Sequence, residues 1–162
     1  MTRILFVCTG NTCRSPMAEA ILKSEKIPGL EVKSAGVYAT NGAPASLHVQ
    51  QILEEEKIGH SHQSSMLTEE MVDWSTYILT MTEGHKYSVL SMFPNAQGKV
   101  FTLKEFAGQK INSDIHDPYG GSLETYRKTY TDIREHINKI IEKLAVSEIF
   151  REEEDGGKEE EV

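Results

Sequence analysis

Five consecutive residues without a charged or amide side chain, Ile4-Leu5-Phe6-Val7-Cys8, stand near the N-terminus and lead through a polar loop into the dipeptide Ser15-Pro16. A run that is apolar at every position does not suit a half-solvated sheet, where inward and outward residues alternate. It suits a strand covered on both faces, as in a parallel sheet, and predicts the central strand. Ser15 predicts a helix N-cap and Pro16 a first-turn proline, with Met17, Ala20 and Ile21 on one face of a helix to about Glu25.

Parallel strands need crossovers, and the rest of the chain supplies them. A second strand is predicted at Leu30 to Ser34, a loop over Gly36 to Pro44 and a helix over Ala45 to Lys57. Thr68 caps a short helix whose first turn holds Glu69 and Glu70, where negative charge suits the helix dipole. Strands at Tyr77 to Met81 and Lys99 to Leu103 flank a helix over Glu83 to Met92. The last helix starts after Ser122: Leu123, Tyr126, Tyr130, Ile133, Ile137, Ile140 and Leu144 recur every three or four residues, and it should end near Leu144. This alternation predicts an α/β three-layer fold, a four-stranded parallel sheet with helices on both faces. Ligands in such folds bind beyond the carboxyl ends of the strands, which singles out the first loop, Thr9 to Ser15.

At 162 residues the chain predicts one domain, over 1–146, able to build its core without disulfides or metal. The net charge of −8 is concentrated in Glu152 to Val162, which carries seven carboxylates and one lysine; the region 147–162 reads as an acidic, disordered tail. Residues 1–151 hold 16 basic and 18 acidic side chains, and no segment concentrates Lys and Arg, so no nucleic-acid partner is expected. No apolar run is long enough to span a bilayer and the Ile4 to Val7 run is too short for a signal peptide, which predicts no membrane partner and a cytoplasmic protein; a monomer is also expected. The two cysteines, Cys8 and Cys13, are open to three readings: a disulfide, half a zinc site or reactive thiols.

The segment Cys8-Thr9-Gly10-Asn11-Thr12-Cys13-Arg14-Ser15 favours the third. A loop closing onto a helix N-terminus turns backbone N–H groups inward and forms an anion cradle. Gly10 and Asn11 suit the left-handed backbone of a tight nest, and Arg14 adds a fork matched to two phosphate oxygens. The same positive field is expected to depress the Cys8 pKa and hold a thiolate facing the bound phosphorus. The loop lacks the second glycine followed by lysine of a nucleotide-binding P-loop, and C-x4-C fits a zinc site poorly.

These residues, with Ser34-Ala35-Gly36 after the second strand and Asp117-Pro118-Tyr119 before the last helix, resemble the low-molecular-weight protein tyrosine phosphatase family over residues 1 to about 145. The resemblance implies a cysteine-dependent phosphatase acting on phosphorylated proteins through a phosphocysteine, with no cofactor and no metal. It implies Cys8 as nucleophile, Arg14 as phosphate ligand and Asp117 as general acid. Ser15 would donate to the thiolate, while Asn11, Ser34 and His62 would hold the loop. Cys13 would trap an oxidised Cys8 as a reversible disulfide. His48, His60, His85, His116 and His136 match no motif and read as surface residues. Related arsenate reductases relay a disulfide through further cysteines, which residues 14–162 lack.

Around the phosphate loop this chain resembles the protein arginine phosphatase branch. Thr12 stands where an aliphatic residue is usual, Thr40 where an aromatic commonly walls the phenol slot, and Gly120-Gly121 follows Tyr119 where a second aromatic is frequent. With only Tyr119 and Tyr38 left to stack, the expected pocket of Thr12, Tyr38, Thr40 and Tyr119 suits a guanidinium rich in N–H donors better than a flat phenol. Phosphoarginine is the expected substrate group, with phosphotyrosine as the alternative.

Overall fold

β1 (Thr2–Cys8) is buried from Ile4 to Cys8 in a computed structural model that describes the backbone of residues 1–160 and side chains to residue 145. It pairs in parallel with β2 (Leu30–Gly36) on one side and β3 (Tyr77–Thr80) on the other, and β3 pairs with β4 (Val100–Thr102). The order β2-β1-β3-β4 makes β1 an interior strand, as its unbroken apolar run requires. It also puts the point where strand order reverses beside β1, with Cys8 at its carboxyl end.

The pleat sends alternate β1 residues into two cores. Ile4, Phe6 and Cys8 face α1 (Arg14–Ser24), α2 (Leu47–Glu55), α5 (Leu103–Phe106) and α6 (Leu123–Glu160). Leu5 and Val7 face Val72 of α3 (Glu69–Trp74) and Val89 of α4 (Glu83–Met92). The expected three-layer α/β architecture is what the chain adopts. Among the described residues, no helix is long and apolar enough to cross a membrane.

The differences from expectation have local causes. Ser15 is not the cap of α1: the cap position is Cys13, without a side-chain hydrogen bond, and the Ser15 hydroxyl points at Cys8 instead. α5 was unforeseen: it begins at Leu103, the last residue assigned to the fourth strand, with a capping box between Thr102 and Glu105. α6 continues past Leu144 to Glu160. The apolar stripe marks where packing ends, but residues 145–155 contain no glycine or proline to stop the backbone. The acidic segment expected as a disordered tail, 147–162, has its side chains outside the described residues.

Gly36 lies beside Cys8 in the sheet register and lets β2 run against the first loop. A Cβ there would overlap the Thr9 carbonyl oxygen and lie 2.9 Å from the Ala39 Cβ. We expect Gly36→Ala to lower the unfolding free energy by about 1–3 kcal/mol. Gly59→Ala, whose Cβ would meet nothing within 4 Å, should cost far less. Urea denaturation of both variants checks this, and equal midpoint shifts would contradict it.

Candidate active site

The first loop leaves the sheet at Cys8 and returns as α1 at Arg14, so its short span must turn sharply. Asn11 makes the turn in left-handed backbone, φ 58°, a conformation its short amide side chain tolerates. Gly10, also expected to turn this way, does not have a positive φ. The buried Asn11 amide then ties the turn to its surroundings. Its Nδ2 donates to Ser15 Oγ at 2.8 Å and Ser34 Oγ at 2.9 Å, and its Oδ1 accepts from the Ser65 amide at 2.9 Å. His62 Nε2 lies 2.7 Å from the Asn11 carbonyl.

Each serine passes the hydrogen bond onward. Ser15 Oγ accepts from Asn11 and lies 2.8 Å from Cys8 Sγ, where its hydroxyl is in reach to donate to a thiolate. Ser34 donates to Glu19 Oε1 at 2.7 Å. Burial raises the Glu19 carboxyl, but hydrogen bonds from His62 and Ser34 and the charge of Lys23 outweigh it and hold the group below its ordinary value. Sequence analysis missed Glu19, although it lies one helical turn beyond Ser15 on the same face of α1.

Cys8 departs from the expected depressed thiol. Burial pushes it up from its ordinary value, against the opposing pull of the Ser15 hydroxyl and amide, the Arg14 charge and the Asn11 amide. The cradle is present, and complete desolvation of the sulfur outweighs it in the resting loop. Cys13 is buried and reduced, like Cys8, and its Sγ lies 3.5 Å from the Tyr126 hydroxyl. Burial, followed by Cys13, pushes Tyr126 up to about 12.

Arg14 is 5% exposed and spans two loops. Its Nη1 donates to the Ile115 carbonyl at 2.9 Å, and its Nη2 lies 3.7 Å from Asp117 Oδ2. The other Asp117 oxygen accepts from the Tyr119 amide at 3.0 Å, which orients the carboxylate without burying it. Cys8, Thr9, Gly10, Thr12, Cys13, Arg14, Asp117 and Tyr119 together line a cleft of about 260 Å³. Ser15, Asn11, Ser34 and His62 stand behind it.

Tyr38 and Thr40, expected in the pocket, are not among the residues lining this cleft. Tyr38 is 85% exposed, and Thr40 is exposed with its carbonyl accepting from Ser64. The Val37 and Tyr38 amides bond to the Cys8 and Thr9 carbonyls, which hold this segment beside the loop, and Tyr38 lines a neighbouring cavity with Thr9 and His85. Two histidines expected at the surface are buried. His136 bonds to the Asp132 carbonyl, and His85 lies 2.7 Å from Thr9 Oγ1 through Nε2. No pattern near His85 in the sequence points to Thr9, 76 residues away. Among the described residues, no three His, Cys, Asp or Glu side chains gather to hold a metal.

The arrangement places a sulfur nucleophile, an oxygen-binding guanidinium and a carboxylate around one cleft, the components of a two-step phosphoryl transfer. Comparison with known proteins agrees. The low molecular weight phosphotyrosine protein phosphatase family matches residues 3–149. A protein-arginine-phosphatase of Geobacillus stearothermophilus is 50% identical over 142 residues, covering 88% of this chain and 95% of its own. The solved YwlE arginine phosphatase from that organism superimposes with a TM-score of 0.90 at 48% identity, covering 92% of this chain and 96% of its own. The low molecular weight protein-tyrosine-phosphatase PtpB of Staphylococcus aureus is 40% identical over 138 residues, 85% of this chain and 96% of its own. With fold, cleft and sequence in agreement over nearly the whole chain, this protein belongs to the low molecular weight phosphotyrosine protein phosphatase family.

Proposed function

We propose that this protein hydrolyses phosphoarginine in proteins through a phosphocysteine on Cys8. The observation that carries the choice of substrate is the lining of the cleft. Thr12 lines it together with Cys8, Arg14 and Asp117, its hydroxyl 3.8 Å from Cys13 Sγ, and Tyr119 is the one aromatic among the lining residues. A guanidinium offers N–H donors to the hydroxyl and the carboxylate, whereas a phenol gains most from stacking between two rings. The 50% identical relative that is named protein-arginine-phosphatase supports this reading. Phosphotyrosine is the second reading, favoured by Tyr119 at the cleft and by the likeness to PtpB.

In the first step the Cys8 thiolate attacks phosphorus, the P–N bond breaks, and Asp117 gives its proton to the departing guanidino nitrogen. Arg14 and the loop amides hold the phosphoryl oxygens as charge moves among them. In the second step Asp117, now a carboxylate, takes a proton from water as that water attacks phosphorus. The S–P bond breaks and phosphate leaves. Asn11, Ser34 and His62 keep the loop in shape, and Ser15 stabilises the sulfur anion. A variant of YwlE arginine phosphatase with a phosphorylated active-site serine supports the covalent step. We also assign the catalytic unit to residues 1–146 with 147–162 as an acidic tail, and read the protein as a cytoplasmic monomer that meets phosphorylated proteins rather than nucleic acid or membrane.

Three outcomes test this. Cys8→Ser should abolish turnover of phosphoarginine peptides while circular dichroism stays native, and Asp117→Asn should slow release of the arginine; sustained hydrolysis by Cys8→Ser would remove the phosphocysteine. Thr12→Ile should lower kcat/KM on a phosphoarginine peptide by about ten- to a hundredfold, since losing one polar contact in a desolvated pocket costs about 1–3 kcal/mol. Its activity on a phosphotyrosine peptide should hold or rise, and an unchanged ratio of the two would favour the tyrosine reading. The third outcome concerns pH. Because Ser15 pulls the Cys8 pKa down, Ser15→Ala should move it further up, and the nucleophile, being the deprotonated form, is then lost at a higher pH. In a Cys13→Ser background, the midpoint of iodoacetamide alkylation against pH should rise by about one to two units, the equivalent of one hydrogen bond to a charged group.

A further inference from the structure

His85 lies outside every motif of the loop, yet it is 8% exposed and its Nε2 is 2.7 Å from the hydroxyl of Thr9, a residue that lines the cleft. It stands in the first turn of α4, with its amide bonded to Thr82 Oγ1 at 3.0 Å. The neighbouring Glu83 amide bonds to Asp114 Oδ1 at 2.8 Å, on the loop that also supplies Ile115 and Asp117. The N-terminus of α4 is therefore fixed to the aspartate loop, while its imidazole is fixed to the phosphate loop.

The second ring nitrogen decides the direction of the bond. His85 Nδ1 is buried and has no hydrogen-bond partner among the described residues. A proton on Nδ1 would orphan a buried donor, whereas a proton on Nε2 leaves only an unused lone pair, the lesser cost. In the second arrangement Nε2–H donates to Thr9, and the Thr9 proton is free to turn elsewhere. Burial, then the charge of Arg14, hold the imidazole down to about 4 against the opposing pull of Asp117 and Asp114, so it acts at neutral pH as an uncharged dipole.

We propose that His85 is a positioning residue for the phosphatase reaction: its Nε2–H occupies the Thr9 oxygen and turns the Thr9 hydroxyl proton into the cleft, toward the oxygens of the bound phosphoryl group. The role rests on the reading of the cleft as a phosphoryl site. It adds a neutral donor beside Arg14, fixed by a side chain from the opposite layer of the fold.

Inorganic phosphate is the probe, because its inhibition constant reports the loop without depending on the protein substrate. His85→Ala and Thr9→Val should each weaken phosphate inhibition and lower kcat/KM by about three- to tenfold, the loss of one hydrogen bond. The double variant should be no worse than Thr9→Val, since both changes remove one chain of bonds. His85→Gln, whose amide can present N–H near the position of Nε2, should recover most of the loss, and His85→Phe should recover none. Additive losses, or wild-type phosphate inhibition in His85→Ala, would overturn the role. Nitrogen-15 NMR of the unmodified protein gives a readout free of any folding defect: the Nε2–H tautomer is expected, and an Nδ1–H tautomer would overturn the proposal. A wild-type protein that phosphate does not inhibit would instead sink the phosphoryl-site reading on which the role depends.

Discussion

Asn11 is fully buried in left-handed backbone, and its side-chain amide reaches three separate segments: Ser15 at the start of α1, Ser34 in β2 and the Ser65 amide in the loop before α3. The shape of the loop depends on these bonds. A left-handed non-glycine residue is costly unless its surroundings over-determine it. Here the surroundings do so from both sides, because His62 holds the Asn11 carbonyl while the carboxamide holds its neighbours. The same bonds place Ser15 Oγ beside Cys8 Sγ, so the geometry of the turn and the environment of the sulfur share one cause.

Charge in the site is arranged around a single buried guanidinium. Arg14 is fixed by the Ile115 carbonyl and faces Asp117, so the phosphate loop and the aspartate loop are joined through it. Its field reaches two other groups with different results. On Cys8 it joins Ser15 and Asn11 in opposing a larger burial effect. On His85 it adds to burial and helps keep the ring neutral. Burial raises the Cys8 thiol, while Ser15, Asn11 and Arg14 around it pull the other way. Little reorganisation is then needed when the nucleophile forms.

Two of the four residues expected in the pocket meet at the cleft. Thr12 and Tyr119 line it, while the bonds of Val37 and Tyr38 to the Cys8 and Thr9 carbonyls hold Tyr38 beside the loop, in a neighbouring cavity that it lines with Thr9 and His85.

The sequence by itself determined the strand at Ile4 to Cys8, the alternation that makes a parallel sheet, and the loop from Cys8 to Arg14, because local periodicity, turn chemistry and close spacing are all written along the chain. Asp117 was legible only through the resemblance to the family, since an Asp-Pro pair before a helix is by itself a common turn. Tertiary structure decided what depends on distant segments meeting. The bond from His85 to Thr9, the placement of Tyr38 in the cavity next to the cleft, and the burial that raises Cys8 each arise between elements far apart in sequence. A linear pattern shows that Thr82 can cap a helix and that Thr9 follows a strand, but not that α4 aims its third residue at that threonine. That contact follows from packing α4 against the sheet and tying its first turn to the Asp114 loop, and only the folded chain brings those constraints together.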